Sequence, residues 1–454
     1  MIAVLSPSTI RNDILAFYYI MTADKMPQIA RYKARKTLTG LAGASECNYS
    51  PAAMKNVAFH SAKRATSAKA RRQRRSGNVV RLWLFGVAAL IVMMVVVGGA
   101  TRLTESGLSI TEWRPVTGVI PPLSEDAWEE AFAKYRQIPQ YRIINKGMDL
   151  GAFKTIYWWE WAHRFLGRVM AIAFFVPFIF FWWTDRLGRG LVLRLTAIFL
   201  LGAAQGGLGW FMVASGLANR TSVSQYRLAA HLALAVALFG IVWWIALGIG
   251  RKAEKTGPVM SPSARHALAL TGLIFVQIVS GAFVAGLDAG MGYNTWPLMD
   301  GALVPDGLFI MSPWWANLFE NAMTVQFDHR LLAYSVVLMA SAHWIAQRYR
   351  YGRASGAGYV LAIVLLQAGL GVVALLWQVP VAIGLLHQTG AMILLALALW
   401  HCRKILYPVN QRGQVRRAGN FGLAARFESA KADESNGGGN AKLDGHLKAD
   451  LSAN

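Results

Sequence analysis

The chain has 454 residues, of which 55% are hydrophobic and only 15% charged, with a formal net charge of +23 and a mean hydropathy of +0.36. A soluble chain of this length carries about a quarter charged residues, so the deficit excludes a soluble globular protein and points to an integral membrane protein built on long apolar runs. About half of the positive excess lies in residues 1–81, fifteen Lys and Arg against three Asp and Glu, with no aromatic–basic recognition module, which excludes nucleic acid and reads as a tail leaning on anionic lipid.

Residues 1–80 are expected to form a basic, disordered cytoplasmic tail. The same Arg-rich, acid-poor stretch also fits a mitochondrial transit peptide, or an over-extended start with Met26 or Met54 as the initiator. Apolar windows of roughly 20 residues then predict eight membrane helices over 81–101, 157–183, 191–214, 228–249, 266–287, 319–346, 357–377 and 382–402. Arg186 and Arg189 follow the second window, Arg251, Lys252, Lys255 and Arg265 the fourth, Arg348, Arg350 and Arg353 the sixth, and Arg403 and Lys404 the eighth. The intervening 288–318 loop has three Asp and no Lys or Arg, and the 102–156 loop balances seven basic with seven acidic residues. Both termini are therefore expected on the cytoplasmic or matrix side, in a bacterial inner membrane or, alternatively, a mitochondrial one, with Arg220 and Arg227 against the trend. Trp113, Trp128, Trp158, Trp159, Trp296, Trp314 and Trp315 gather toward the outer side as an aromatic belt would. Residues 404–454 read as a second disordered cytoplasmic tail. The two cysteines, Cys47 and Cys402, form neither a disulfide framework nor a zinc spacing.

The windows fall into two similar sets of four. Gly99-Ala100, Ser106-Gly107-Leu108 and Trp113 resemble Gly281-Ala282, Ala289-Gly290-Met291 and Trp296. The run Glu160 to Arg164 matches Gln326 to Arg330, Gln205–Gly209 matches Gln367–Gly371, and Leu228–His231 matches Gly384–His387. Four spans per half preserve orientation, so the repeat is parallel. The expected fold class is an all-α integral membrane protein of eight transmembrane helices, arranged as two pseudo-symmetric four-helix bundles over 81–250 and 251–403.

The repeat puts His163, His231, His329 and His387 within about two turns of the outer entry of their helices, roughly 5–10 Å deep. Ionisable groups inside a membrane are expensive and mark functional sites. Two imidazoles at one depth on different helices can hold a heme between them. Gly206, Gly207, Gly209, Gly369 and Gly371 would let a flat macrocycle approach the backbone. The bland reading is interhelical hydrogen-bonding glue, and His266, His343 and His401, unpaired by the repeat, read as interfacial or packing residues. A di-iron centre would need further carboxylates, which the third, fourth, seventh and eighth windows lack.

One chemical group separates the halves. Glu160 lies one turn from His163 on the same face, whereas its counterpart Gln326 cannot exchange protons. The half with Glu160 is expected to be the reactive one, its carboxyl neutral or paired with a raised pKa; simple pairing with Arg164 or Arg168 is the alternative. Arg164 and Arg330 read either as partners for propionates or as snorkelling cations. Asp328 points to another face.

Gly98 to Trp113, the Glu-Trp-Ala-His-Arg run ending at Arg164, Tyr293 to Gly301 and His387 to Ala391 together resemble the heme A synthase family, in its proteobacterial and mitochondrial branch, over roughly residues 80–403. The resemblance implies oxidation of a methyl group of heme O to the formyl group of heme A for cytochrome oxidase assembly. It implies that His163 and His231 are axial ligands of the substrate heme, His329 and His387 of a heme B cofactor, and Glu160 the catalytic carboxylate. Heme O synthase, cytochrome oxidase assembly factors, membrane lipid and a second copy of the chain are the partners it suggests. Some relatives carry a cysteine pair in an outer loop that this chain lacks. The competing readings are a bis-histidine diheme electron-transfer cytochrome, which fits four histidines at one face poorly, and a transporter, which leaves the histidine pairing unexplained.

Overall fold

The structure is a computed structural model that describes residues 51–114, 116–250, 257–351 and 355–408. Cys47, Met26, Arg251, Lys252, Lys255 and Arg353 lie outside the described residues, as do most of the two tails. The chain divides into two compact units, residues 1–78 and 79–454. In chain order the helices are α1 (Pro51–Leu103), α2 (Glu125–Tyr135), α3 (Pro139–Ile143), α4 (Leu150–Trp183), α5 (Arg189–Asn219), α6 (Gln225–Gly248), α7 (Pro262–Gly286), α8 (Asn317–Glu320), α9 (Ala322–Tyr351), α10 (Ser355–Leu376) and α11 (Val381–Leu406). Among the described residues there is no strand, only an isolated bridge between Met299 and Ala302.

Seven helices are long and apolar enough to cross a membrane: Gly77–Leu103 within α1, α4, Arg189–Ala218 within α5, α6, α7, Gly356–Leu376 within α10, and α11. They coincide with seven of the eight windows. The helix at the remaining window, α9, is 30 residues long but is not among them. Gln326, Asp328, His329 and Arg330 near one end and His343, Gln347 and Arg348 near the other dilute its apolar character. The sequence marks the helix starts locally. Asp149 accepts a hydrogen bond from the Ala152 amide at the head of α4, and Ser261 accepts one from Ala264 ahead of α7, where Pro262 occupies the first turn.

The apolar core runs between these helices, with Leu84 and Val87 of α1, Phe174 and Phe178 of α4, Phe239 and Val242 of α6, Ile274 of α7, Val336 of α9 and Met392 of α11 all buried. α6, α7 and α11 pack at the centre, where Trp243 of α6 donates to the Ala396 carbonyl of α11 at 2.9 Å and Phe85 of α1 meets Trp243 edge-on at 5.0 Å.

The 102–156 segment is more than a connection. α2 and α3 fold onto the start of α4 around a second core of Leu108, Trp128, Phe132, Tyr135, Phe153 and Tyr157, with Phe132 stacked on Phe153 at 5.0 Å. Trp128 is therefore a core residue, 7% exposed, whereas Trp113, Trp158, Trp159, Trp296, Trp314 and Trp315 are exposed. Outside the spans, the Lys134 ammonium holds the Glu112 carboxyl below its ordinary value, chiefly by hydrogen bonding at 2.6 Å.

Where α6 begins and α7 ends, backbone approaches backbone. A Cβ on Gly286 would lie 2.7 Å from Cβ and 2.8 Å from Cα of Gln225, whereas one on Gly272, in the same helix, would meet nothing within 4 Å. Gly286→Ala is expected to destabilise the detergent-solubilised protein by about 1–3 kcal/mol through overpacking. Gly272→Ala should leave the thermal midpoint unchanged or raise it, since Ala favours a helix over Gly by up to about 1 kcal/mol. Equal midpoints for the two variants would remove the close approach.

Candidate functional site

The four membrane histidines share one local construction. Each sits on the second helix of a consecutive pair of long helices, facing a glycine of the first. A Cβ on Gly98 of α1 would lie 2.9 Å from Cε1 of His163 on α4, and one on Gly209 of α5 3.0 Å from that of His231 on α6. The corresponding distances are 3.2 Å from Gly281 of α7 to His329 on α9 and 2.9 Å from Gly371 of α10 to His387 on α11. Real Cβ atoms are rarely this close to another atom, so the glycines are notches that admit the imidazole edges. All four side chains keep some exposure. His163 and His231 are close enough to interact electrostatically, and so are His329 and His387. Among the described residues, no three His, Cys, Asp or Glu side chains gather as a metal cluster.

These contacts correct two details of the sequence comparison. The glycine equivalent to Gly281 is Gly98, one residue earlier than the motif pairing placed it. The resulting spacing of 183 residues is also that between Ser106 and Ala289 and between Trp113 and Trp296. The glycines of α5 and α10 also divide by role. Gly209 and Gly371 receive the histidine rings, whereas Gly206, Gly207 and Gly369 have open space where a side chain would stand.

One turn before three of the notches stands a glutamine, which the sequence reading left without a role. Gln205 Nε2 lies 3.2 Å from Nδ1 of His231 and donates to its carbonyl at 3.0 Å. Gln367 does the same for His387 at 3.1 and 2.6 Å. Gln277 lies 3.2 Å from Nδ1 of His329 and donates to its carbonyl at 3.1 Å, while Ser280 Oγ is 2.7 Å from the same Nδ1. The signal was present as Gln-x-x-x-Gly on the helix ahead of three of the four histidines. It was obscured because the first copy reads Met94-x-x-x-Gly98.

Glu160 and Gln326 each fasten a loop to a helix. Glu160, 3% exposed, accepts hydrogen bonds from Arg164 at 2.6 and 3.0 Å, and from Ser109 Oγ and the Ile110 amide at 2.8 Å each. Of the two expected arrangements the structure has the paired one, with Arg164. Arg164 also donates to the carbonyls of Ile110 and Glu112. Gln326 instead donates to the carbonyls of Ala289 and Gly292 at 2.7 Å each and accepts from Arg330 at 2.9 Å. Arg330 reaches the Tyr293 and Thr295 carbonyls as well. Both guanidinium groups are thus committed to loop backbone.

A further histidine contact was not anticipated. His343 and His401, both buried, face each other with Nε2 atoms 2.9 Å apart, and the His266 ring lies 5.9 Å from that of His343. Three residues read singly as interfacial or packing groups are therefore one cluster.

The two loop clamps differ in what their arginines neutralise. Arg164→Leu leaves the buried Glu160 carboxylate without its counter-charge and is expected to lower unfolding stability by about 3–5 kcal/mol. Arg330→Leu leaves only neutral groups unpaired and should lower it by about 1–3 kcal/mol. Thermal unfolding of the two variants in one detergent compares them, and an Arg330→Leu loss as large as that of Arg164→Leu would contradict the charge argument.

The family described as cytochrome oxidase assembly protein matches residues 81–399. The chain is 54% identical over 328 residues to the heme A synthase of Parvibaculum lavamentivorans, covering 72% of this chain and 94% of that protein. It is 54% identical over 331 residues to the heme A synthase of Azorhizobium caulinodans, covering 72% and 94%. For the heme A synthase of Rhodopseudomonas palustris strain TIE-1 the figures are 53% over 323 residues, 70% and 87%. The chain belongs to the heme A synthase family of cytochrome oxidase assembly proteins, in its proteobacterial branch.

Proposed function

We propose that this chain is a heme A synthase, oxidising a methyl substituent of heme O to the formyl group of heme A for cytochrome oxidase assembly. The reading is carried by one histidine–glycine contact recurring in four consecutive pairs of long helices, in a chain half-identical to named heme A synthases. α9 joins the seven apolar helices as the eighth span, and the eight form two pseudo-symmetric four-helix bundles over 81–250 and 251–403. The histidines lie toward the outer face of a bacterial inner membrane, with both termini on the cytoplasmic side. Heme O synthase, which supplies the substrate, and the cytochrome oxidase assembly factors that receive the product are the partners this activity implies.

His163 and His231 hold the substrate heme O, and His329 and His387 hold a heme B cofactor. The residues fit these groups. Each pair offers two imidazoles from different helices, the donor set that would hold a heme. Bound heme B would supply one-electron redox chemistry.

Glu160 is the catalytic carboxylate. Hydrogen-bonded by Arg164, Ser109 and Ile110 one turn from His163, it accepts a proton as the substrate is oxidised. Gln326, at the matching place in the other half, cannot. Arg164 and Arg330 serve the sites by holding loop backbone rather than by meeting propionates.

Co-expression with heme O synthase in a host lacking heme A, followed by extraction and chromatography of the hemes, tests this reading. Heme A is expected from the wild type. Glu160→Gln should keep its heme content and lose heme A by tenfold or more, within the range typical of acid–base groups. Heme B alone with a bis-histidine spectrum would favour the electron-transfer cytochrome, and an extract without heme would end both readings.

A further inference from the structure

The two halves meet along two seams, α1 against α11 and α6 against α7, and the repeat relates one to the other. Its spacings, 183 residues from Gly98 to Gly281 and 156 from His231 to His387, pair Leu103 with Gly286 and Leu228 with Gly384. Each seam accordingly sets one leucine against one glycine, on opposite helices. A Cβ on Gly384 would lie 2.9 Å from Cδ1 of Leu103, and one on Gly286 3.5 Å from Cδ2 of Leu228.

One turn further into each seam the likeness ends. A Cβ on Gly99 of α1 would overlap the carboxamide of Gln388 from α11, and Gln388 Nε2 donates to the Val95 carbonyl of α1 at 3.1 Å. The same spacings place Ala282 where Gly99 stands and Leu232 where Gln388 stands, so the matching positions of the second seam hold no carboxamide. Gln388 follows His387 in the chain, and Gly99 follows Gly98, the notch for His163. α1 is thus gripped at consecutive residues, by the His163 ring from α4 and by the Gln388 carboxamide from α11.

This grip stands where the first helix pair lacks one of its own. Gln205, Gln277 and Gln367 each reach from the first helix of a pair to the histidine carbonyl on the second, at 2.6 to 3.1 Å. Met94 occupies that position of α1, so α1 offers no carboxamide to α4 there. The Nδ1 atom of His163 is buried with no hydrogen-bond partner. α1 bonds α4 elsewhere, from Trp83 to the Ala173 carbonyl at 2.9 Å and from Thr101 to the Trp159 carbonyl at 3.4 Å, but neither bond involves His163. Its ring is placed by the Gly98 notch, and the carboxamide that holds α1 at that level comes from the other half.

Resting on the reading of the four histidines as heme ligands, we propose that Gln388 is a positioning residue for the substrate site, although it lies on the helix of the cofactor ligand His387. Acting through Val95 and Gly99, it sets the register of α1 and with it the notch in which His163 sits. α11 then carries, on neighbouring residues, a ligand of the cofactor heme and the support for a ligand of the substrate heme.

The test adds ferric heme B to the purified full-length protein and follows its transfer to an excess of a heme-scavenging apoprotein, with optical spectra of ligation. The release phase that His163→Ala accelerates marks the heme of the first half. Gln388→Leu and Gly99→Ala install the residues that the second seam already carries, so the fold is expected to tolerate both. Each should speed release of the His163 heme by about tenfold, as the loss of a group supporting a metal ligand does, and leave the other heme within about twofold. The double variant should cost no more than either alone, because both substitutions break one interaction. A local packing role would act instead on the heme of His387, the adjacent residue. An effect confined to that heme, equal effects on both hemes, or release of the His163 heme unmoved by either substitution would overturn the inference while leaving the heme reading intact. If His163→Ala altered neither uptake nor release of heme, the reading beneath the inference would fall instead.

Discussion

An imidazole can stand between two packed membrane helices only where the facing helix gives up its side chain. Lipid offers helices little hydrophobic reason to associate, so close packing and interhelical hydrogen bonds must hold them together. Here one glycine per pair of long helices satisfies both demands. Gly98, Gly209, Gly281 and Gly371 bring the backbones close enough to grip a ring edge, and the same approach brings the next turn of the first helix within hydrogen-bonding range of the histidine. The pairing of α1 with α4, α5 with α6, α7 with α9 and α10 with α11 is thus also the positioning of the four rings. Loss of a notch would move a ring and part its helices together.

Much of this was legible in the sequence. The apolar windows located every long helix, because apolar run length is the signal the bilayer imposes. The four histidines stood out because lipid makes them costly. What the sequence concealed was relational. Gln277 had no visible counterpart, since Met94 occupies its place in the first pair, and a repeat search weights identities. His343 and His401 lie 58 residues apart on helices whose rotation no periodicity sets, so their contact needed coordinates. The folded cap of α2 and α3 hid in a charge-balanced loop. Its apolar residues, Trp128, Phe132 and Tyr135, are spaced for a short helix, but the flanking membrane windows drew the eye past them.

The contrast between Glu160 and Gln326 is wider than one side chain. The 109–112 segment turns a hydroxyl and an amide toward Glu160, both donors, whereas the 289–292 segment turns two carbonyls toward the Gln326 amide. Each loop is matched to the polarity of its residue, while the arginine four positions on is the same. An exchange of Glu for Gln alone would set donors against donors in the first half, where an unmade buried hydrogen bond costs about 1–3 kcal/mol. Charge at this site is therefore specified jointly by helix and loop, which a swap confined to the side chain cannot transfer.

Both departures from the repeated frame fall beside one turn of α4. Glu160 brings a carboxylate to the site of an amide, and Met94, across the interface, brings a thioether to the site of a carboxamide. Each change alone has a bland structural account, a salt bridge in one case and apolar packing in the other. Both flank the stretch of α4 that carries His163. His329 has a glutamine, a serine and an uncharged neighbour instead. The four histidine–glycine contacts share one frame, and the first helix pair alone departs from it.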